Sequence, residues 1–140
     1  MVPPESASAV PAASPAGGRR CVLIVEDNPG VRDSVVEILA GEGYDIVEAR
    51  NGEEGLAALS VKQPNRILLD LEMHVMTGWS FMKQLKARAL SIPVIIMSGR
   101  TDWAGRVTQL GAVDFLAKPF DVPELLNKVA KYHKPKPFLS

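Results

Sequence analysis

From Cys21 onward the chain alternates short apolar runs with longer stretches of helical period, and it does so five times. A run of four or five apolar residues is too short for an amphipathic helix, and with no polar face it reads as a strand covered on both sides. Strands alternating with helices are the pattern of parallel βαβ units. The expected fold is therefore α/β, a (βα)5 doubly wound parallel sheet.

The first strand is Cys21 to Val25, ending in Glu26-Asp27-Asn28. A helix starts at Pro29, a residue suited to a first turn, carries Val31, Val35, Ile38 and Leu39 on one stripe, and stops at Gly41 and Gly43. The second strand is Asp45 to Ala49. Its helix runs from about Glu53 to Val61 and is weakened by the internal Gly55. The third strand, Arg66 to Leu69, delivers Asp70, and the next helix begins at Gly78. The fourth, Val94 to Met97, ends in Ser98-Gly99-Arg100 and precedes a helix around Asp102 to Leu110. The fifth, Val113 to Ala117, ends in Lys118-Pro119. Asp121, with Glu124 three residues on, caps the last helix, which ends before Lys134-Pro135-Lys136-Pro137. Residues 21–133 are thus one domain, with a Pro/Ala-rich tail or linker at 1–20, expected to be disordered, and a C-terminal tail at 134–140.

Composition narrows the function classes. Sixteen basic residues balance 16 acidic ones, so the clustered positive charge of a nucleic-acid binder is missing and direct DNA contact is not expected. No apolar run approaches the roughly 20 residues that span a bilayer, and the first 20 residues lack the pattern of a secretory signal. The single cysteine, Cys21, opens an apolar run and reads as a buried thiol. These features together fit a cytoplasmic protein, monomeric or weakly dimeric.

The chemistry gathers where the strands end: Glu26 and Asp27 after the first, Asp70 after the third, Ser98 after the fourth, Lys118 after the fifth. In a doubly wound sheet ordered 2-1-3-4-5 the first and third strands are neighbours, and the acidic pair and Asp70 meet at the topological switch point. Three carboxylates there repel unless a cation intervenes, and Mg2+ suits oxygen ligands while leaving places for phosphate oxygens. An aspartate can attack a phosphoryl group to form an aspartyl-phosphate, a transfer that needs positioning and charge neutralisation. Lys118 supplies a point charge, Ser98 a hydroxyl, and Gly99 leaves room.

On these residues, and on the segments Asp70-Leu71-Glu72-Met73 and Gly111-Ala112-Val113-Asp114-Phe115-Leu116-Ala117-Lys118-Pro119-Phe120, the chain resembles the receiver domain of two-component response regulators. The resemblance covers about residues 20 to 133. It implies a flavodoxin-like, three-layer α/β/α fold in which Asp70 is phosphorylated by a histidine kinase or histidine phosphotransfer protein. It also implies Mg2+ held by Asp27, Asp70, water linked to Glu26 and the backbone carbonyl of Glu72, and a cis Lys118-Pro119 peptide. Ser98 and Phe115 would be the switch residues that repack the surface of the fourth helix, fifth strand and fifth helix toward a downstream protein target. The chain would then be a switch rather than a turnover enzyme.

Two positions depart from that family. His74 stands where proline is usual, and Phe115 lacks the hydroxyl of the common tyrosine. Glu72 and Arg100 flank the acceptor and are read as an ion pair over the phosphoryl group that, with His74, sets its lifetime. An isolated strand-end aspartate is ordinarily a helix cap or turn residue; here polar groups end four of five strands. His74 alone reads as a loop residue, His133 as a cation at a helix C-terminus, and Trp79 and Trp103 as packing residues. Two rival functions are a haloacid-type phosphatase, which expects an acid of the Asp-x-Asp pattern where Glu72 stands, and a receiver-like module that binds a partner without phosphorylation.

Overall fold

The computed structural model describes residues 20–132; His133 and the two tails, apart from Arg20, lie outside the described residues. Five parallel strands form one sheet in the order β2-β1-β3-β4-β5. They are β1 (Cys21–Val25), β2 (Asp45–Ala49), β3 (Arg66–Asp70), β4 (Val94–Ser98) and β5 (Asp114–Ala117). The helices are α1 (Pro29–Gly41), α2 (Gly52–Val61), α3 (Gly78–Ala87), α4 (Ala104–Gln109) and α5 (Val122–Lys131), with a 3-10 turn at Thr101–Trp103 before α4.

Because side chains alternate across a strand, the apolar runs feed two cores. Leu23, Val25, Ile67, Leu69, Val94 and Ile96 face one way, onto Leu56 and Leu59 of α2, Phe81, Met82 and Leu85 of α3, and Val107 of α4. Val22, Ile24, Leu68, Ile95, Met97 and Leu116 face the other, onto Val35 and Leu39 of α1 and Leu125 and Val129 of α5. Three layers result, and the strands that read as uniformly apolar are buried on both faces. Cys21 is buried at the foot of β1.

The glycine that weakened the second helix on paper has a packing role. A Cβ on Gly55 would lie 2.9 Å from Phe81 Cε1 and 3.0 Å from Val25 Cγ2, so its absence lets α2 seat against both β1 and α3. The largest departure from expectation is the fourth helix. Instead of one helix over Asp102 to Leu110, the chain makes the 3-10 turn and then only six helical residues, with no side-chain cap on either. Asp102 gives its carboxylate to the Arg100 guanidinium, and Gly105 lies inside the helix, where it lowers helix propensity.

Register aligns the functional ends. Asp70 pairs with Met97 and Ser98 with Ala117, so Asp70, Ser98 and Lys118 leave adjacent strands within about a residue of one another. The ladder continues past the strands: Leu71 N–H donates to the Met97 carbonyl (3.0 Å), Lys118 N–H to the Ser98 carbonyl (2.8 Å) and Glu26 N–H to the Ala49 carbonyl (3.1 Å).

Candidate functional site

The site lies at the carboxyl edge of β1 and β3, where the strand order reverses. Glu26 is fully buried and Asp70 is 2% exposed, each placed there as the continuation of a buried strand. Lys118 reaches back from β5 and joins them: its Nζ lies 2.8 Å from Glu26 Oε1 and 3.3 Å from Asp70 Oδ1. The second Glu26 oxygen accepts from Asn28 N–H (3.1 Å), and Asp70 Oδ1 accepts from Glu72 N–H (3.2 Å). Gly78 closes the acceptor loop tightly. A Cβ there would stand 2.8 Å from Leu71 Cα and 2.9 Å from the Asp70 carbonyl oxygen.

Burial, and then the neighbouring Glu26 charge, push the Asp70 carboxyl up to about 7, against the opposing pull of Lys118. Burial draws the Lys118 ammonium down, but its hydrogen bond to Glu26 and the charges of Asp70 and Glu26 outweigh that and hold it above the ordinary lysine value. One carboxylate oxygen from each of Glu26, Asp27 and Asp70 lies within 4.8 Å of the others. A single ammonium among three carboxylates leaves the pocket negative, and an all-oxygen donor set of this kind fits a hard divalent cation.

Around this centre the structure places the remaining sequence-predicted residues differently from one another. Ser98, buried at the end of β4, donates its hydroxyl to Glu72 Oε1 (3.0 Å), and Gly99 N–H donates to the same oxygen (3.3 Å). Ser98 Oγ in turn accepts from Arg100 N–H (2.9 Å). The expected Glu72–Arg100 ion pair is not what the side chains make. The Arg100 guanidinium is bound to Asp102 (2.9 Å) and lies over the Trp103 ring (4.2 Å), so Glu72 is left as the acceptor for Ser98 and Gly99. Phe115 is half-buried and packs against the core cluster that also takes in Val107. The Lys118-Pro119 peptide is cis.

Two features carried no readable signal in the sequence. His74 Nδ1 lies 2.9 Å from Asp27 Oδ2, and the His74 backbone N–H lies 3.4 Å from the same oxygen. Trp79 and Trp103, far apart along the chain, stack edge to face at 5.5 Å, with Arg106 over the Trp79 ring.

Fold and site together define an α/β domain with an acidic centre at the switch point of its sheet. The family model for the response regulator receiver domain matches residues 22–130, and the chain belongs to that family. Among characterised proteins it is 36% identical over 113 residues to sporulation initiation phosphotransferase F of Bacillus subtilis, covering 79% of this chain and 91% of that protein. It is 39% identical over 115 residues to the DNA-binding transcriptional regulator NtrC of Salmonella typhimurium, covering 81% of this chain but only 24% of NtrC. The chain thus spans about a quarter of that relative's length. Among solved structures, chemotaxis protein CheY4 of Vibrio cholerae superposes with a TM-score of 0.77 at 28% identity, covering 82% of this chain and 99% of that one. The Francisella response regulator 1452 receiver domain gives 0.76 at 27%, covering 80% and 94%.

Proposed function

We propose that Asp70 is the phosphoacceptor of a two-component phosphorelay, charged by a histidine kinase or histidine phosphotransfer protein in a Mg2+-dependent reaction. The observation that carries this reading is the buried Asp70 carboxylate with Lys118 Nζ at 3.3 Å and two further carboxylates within metal-ligand reach. An Asp70 oxygen attacks phosphorus, the bond from phosphorus to the donor imidazole nitrogen breaks, and the electron pair leaves with the imidazole, which takes up a proton. The product is an acyl phosphate on Asp70. A divalent cation at this centre would be held by Asp27, Asp70 and the Glu72 backbone carbonyl, with Glu26 linked through water, and would supply neutralisation of charge on the phosphoryl oxygens and lower the Asp70 pKa. Lys118 supplies fixed positive charge at the acceptor oxygen.

Ser98 is the switch. Its hydroxyl now serves Glu72, and a phosphoryl group on Asp70 offers a stronger, more highly charged acceptor. Transfer of that hydrogen bond releases Glu72 and moves the turn at Thr101–Trp103, and the repacking of Phe115 carries the change to the α4-β5-α5 surface, where a downstream protein binds. The chain acts as a switch and not as a turnover enzyme, and it works in the cytoplasm without contacting nucleic acid itself. No helix among the described residues is long and apolar enough to cross a membrane.

Incubation with acetyl phosphate and Mg2+, followed by intact-mass measurement, tests the acceptor. Wild type gains the mass of one phosphoryl group and Asp70→Asn gains none. A wild-type chain that stays unmodified would instead identify a module that binds without phosphorylation.

A further inference from the structure

β2 is the one strand that brings no polar group to the site, since it ends at Ala49. It nevertheless reaches the acidic centre through a side chain of α1. Arg32, at the end of the first turn of that helix, donates from Nη1 to the backbone carbonyl oxygen of Glu26 (2.8 Å), and its Nε lies 3.5 Å from Oε1 of Glu48 on β2. At 12% exposure the Arg32 side chain is largely out of water, so its charge and its N–H groups depend on these two acceptors. The guanidinium thus ties the loop after β1 to the neighbouring strand.

The contact bears on Asp27 because the Glu26 carbonyl belongs to the peptide plane that joins the two residues. A rigid plane held at its oxygen fixes the backbone on one side of Asp27. The plane on the other side is held as well, since Asn28 N–H donates to Glu26 Oε2 (3.1 Å). Asp27 therefore sits between two pinned planes, and its carboxylate leaves the loop in one direction. Glu26, itself fully buried, has each of its polar groups engaged: its N–H by the Ala49 carbonyl, Oε1 by Lys118, Oε2 by Asn28 and its carbonyl by Arg32.

We infer that Arg32 is a positioning residue for the metal centre, holding the Asp27 carboxylate in place through the Glu26–Asp27 peptide while Glu48 holds Arg32. The inference rests on the reading of Asp27 as a metal ligand and adds two residues that act on it from outside the acidic cluster. Without the guanidinium a buried carbonyl loses its donor, and the plane before Asp27 is free to turn. All the ligands remain, but they are no longer set for the near-octahedral geometry that Mg2+ demands. The charge of Arg32 works the other way. A cation beside three carboxylates repels an incoming metal, so its removal alone would tighten Mg2+ binding, and a weakened site reports the lost geometry.

Calorimetric titration of the full chain with Mg2+ reads the affinity, and denaturant unfolding in a chelating buffer reads the stability of the same variants. Arg32→Met, which keeps an apolar stem and removes the donors, is expected to weaken Mg2+ binding about tenfold. Arg32→Lys, which returns one donor to the carbonyl, is expected to bind within about threefold of wild type. If Arg32→Met loses stability while its Mg2+ affinity stays at or above that of wild type, Arg32 only packs α1 and the inference is wrong. An Arg32→Lys chain as weak as Arg32→Met also overturns it, because the carbonyl needs only one donor. Should Arg32→Met fail to fold, Glu48→Gln decides: a weakening of about threefold that persists in high salt is expected, and an unchanged affinity overturns the role. Asp27→Asn is the reference for the site. Wild-type affinity in that variant removes the metal reading itself, whereas a weakened Asp27→Asn beside an unaffected Arg32→Met removes only the positioning role.

Discussion

At the scale of single residues the site is a balance between one ammonium and three acids, and Asp70 is where the balance is least favourable. Its ordinary value is 3.8, and in the fold it is raised to about 7, first by burial and then by Glu26. A folded pKa raised above the unfolded one favours folding while the group is protonated in both states. That contribution is present below pH 3.8 and is lost as pH rises through about 7. In metal-free protein, therefore, Asp70→Asn is increasingly stabilised relative to wild type between pH 4 and pH 8, by roughly 2–4 kcal/mol over the interval. Denaturant titrations in a chelating buffer at both pH values check this. Parallel pH profiles for the two chains would show that Asp70 ionises freely in the fold.

At the scale of elements, two glycines inside helices invite the same substitution with opposite outcomes. In α2, a Cβ on Gly55 would press on Phe81 and Val25 at 2.9 and 3.0 Å, and Gly55→Ala is expected to destabilise by about 1–3 kcal/mol. In α4, nothing lies within 4 Å of a Cβ on Gly105. Gly105→Ala there gains helix propensity and is expected to stabilise by about 0.5–1 kcal/mol. Thermal unfolding measures the signs, and hydrogen exchange across Ala104–Gln109 localises the second effect. The pair also marks what the sequence could convey. Both glycines were visible, and Gly55 was read only as a weakness, because the closeness of Phe81 depends on how α2 and α3 meet across β1. The fourth helix was read too long for a related reason. The helical period starts at Asp102, and only the side-chain arrangement reveals that Arg100 takes its carboxylate.

At the scale of the whole molecule, the strand positions and the polar groups at the strand ends were legible, because burial on both faces forces the apolar runs of β1 and β4 and the ends of such runs mark the sheet edge, while the strand order came with the doubly wound fold class. Glu26, Asp70, Ser98 and Lys118 could be placed that way. The partners of His74, Arg100 and the two tryptophans could not, since loop side chains follow no period that ties position to contact. The opposite edge of the same sheet carries one more residue of this second kind. β3 begins at Arg66 and ends at Asp70, so one strand buries a charge at each end. Asp70 has Lys118 for company, whereas Arg66 is 4% exposed and its Nε and Nη1 make no hydrogen bond among the described residues. The Tyr44 ring, 5.2 Å from the guanidinium, is part of its compensation, and burial draws the Arg66 pKa down. A buried cation satisfied this poorly costs more than a well-packed apolar side chain of similar length. Arg66→Met is therefore expected to stabilise the fold by about 1–2 kcal/mol, read from denaturant unfolding. The acetyl phosphate reaction at Asp70 should keep its wild-type rate, because the substitution lies at the far end of the strand. A loss of stability would mean that the guanidinium holds β3 and Tyr44 together more strongly than its unpaired nitrogens cost.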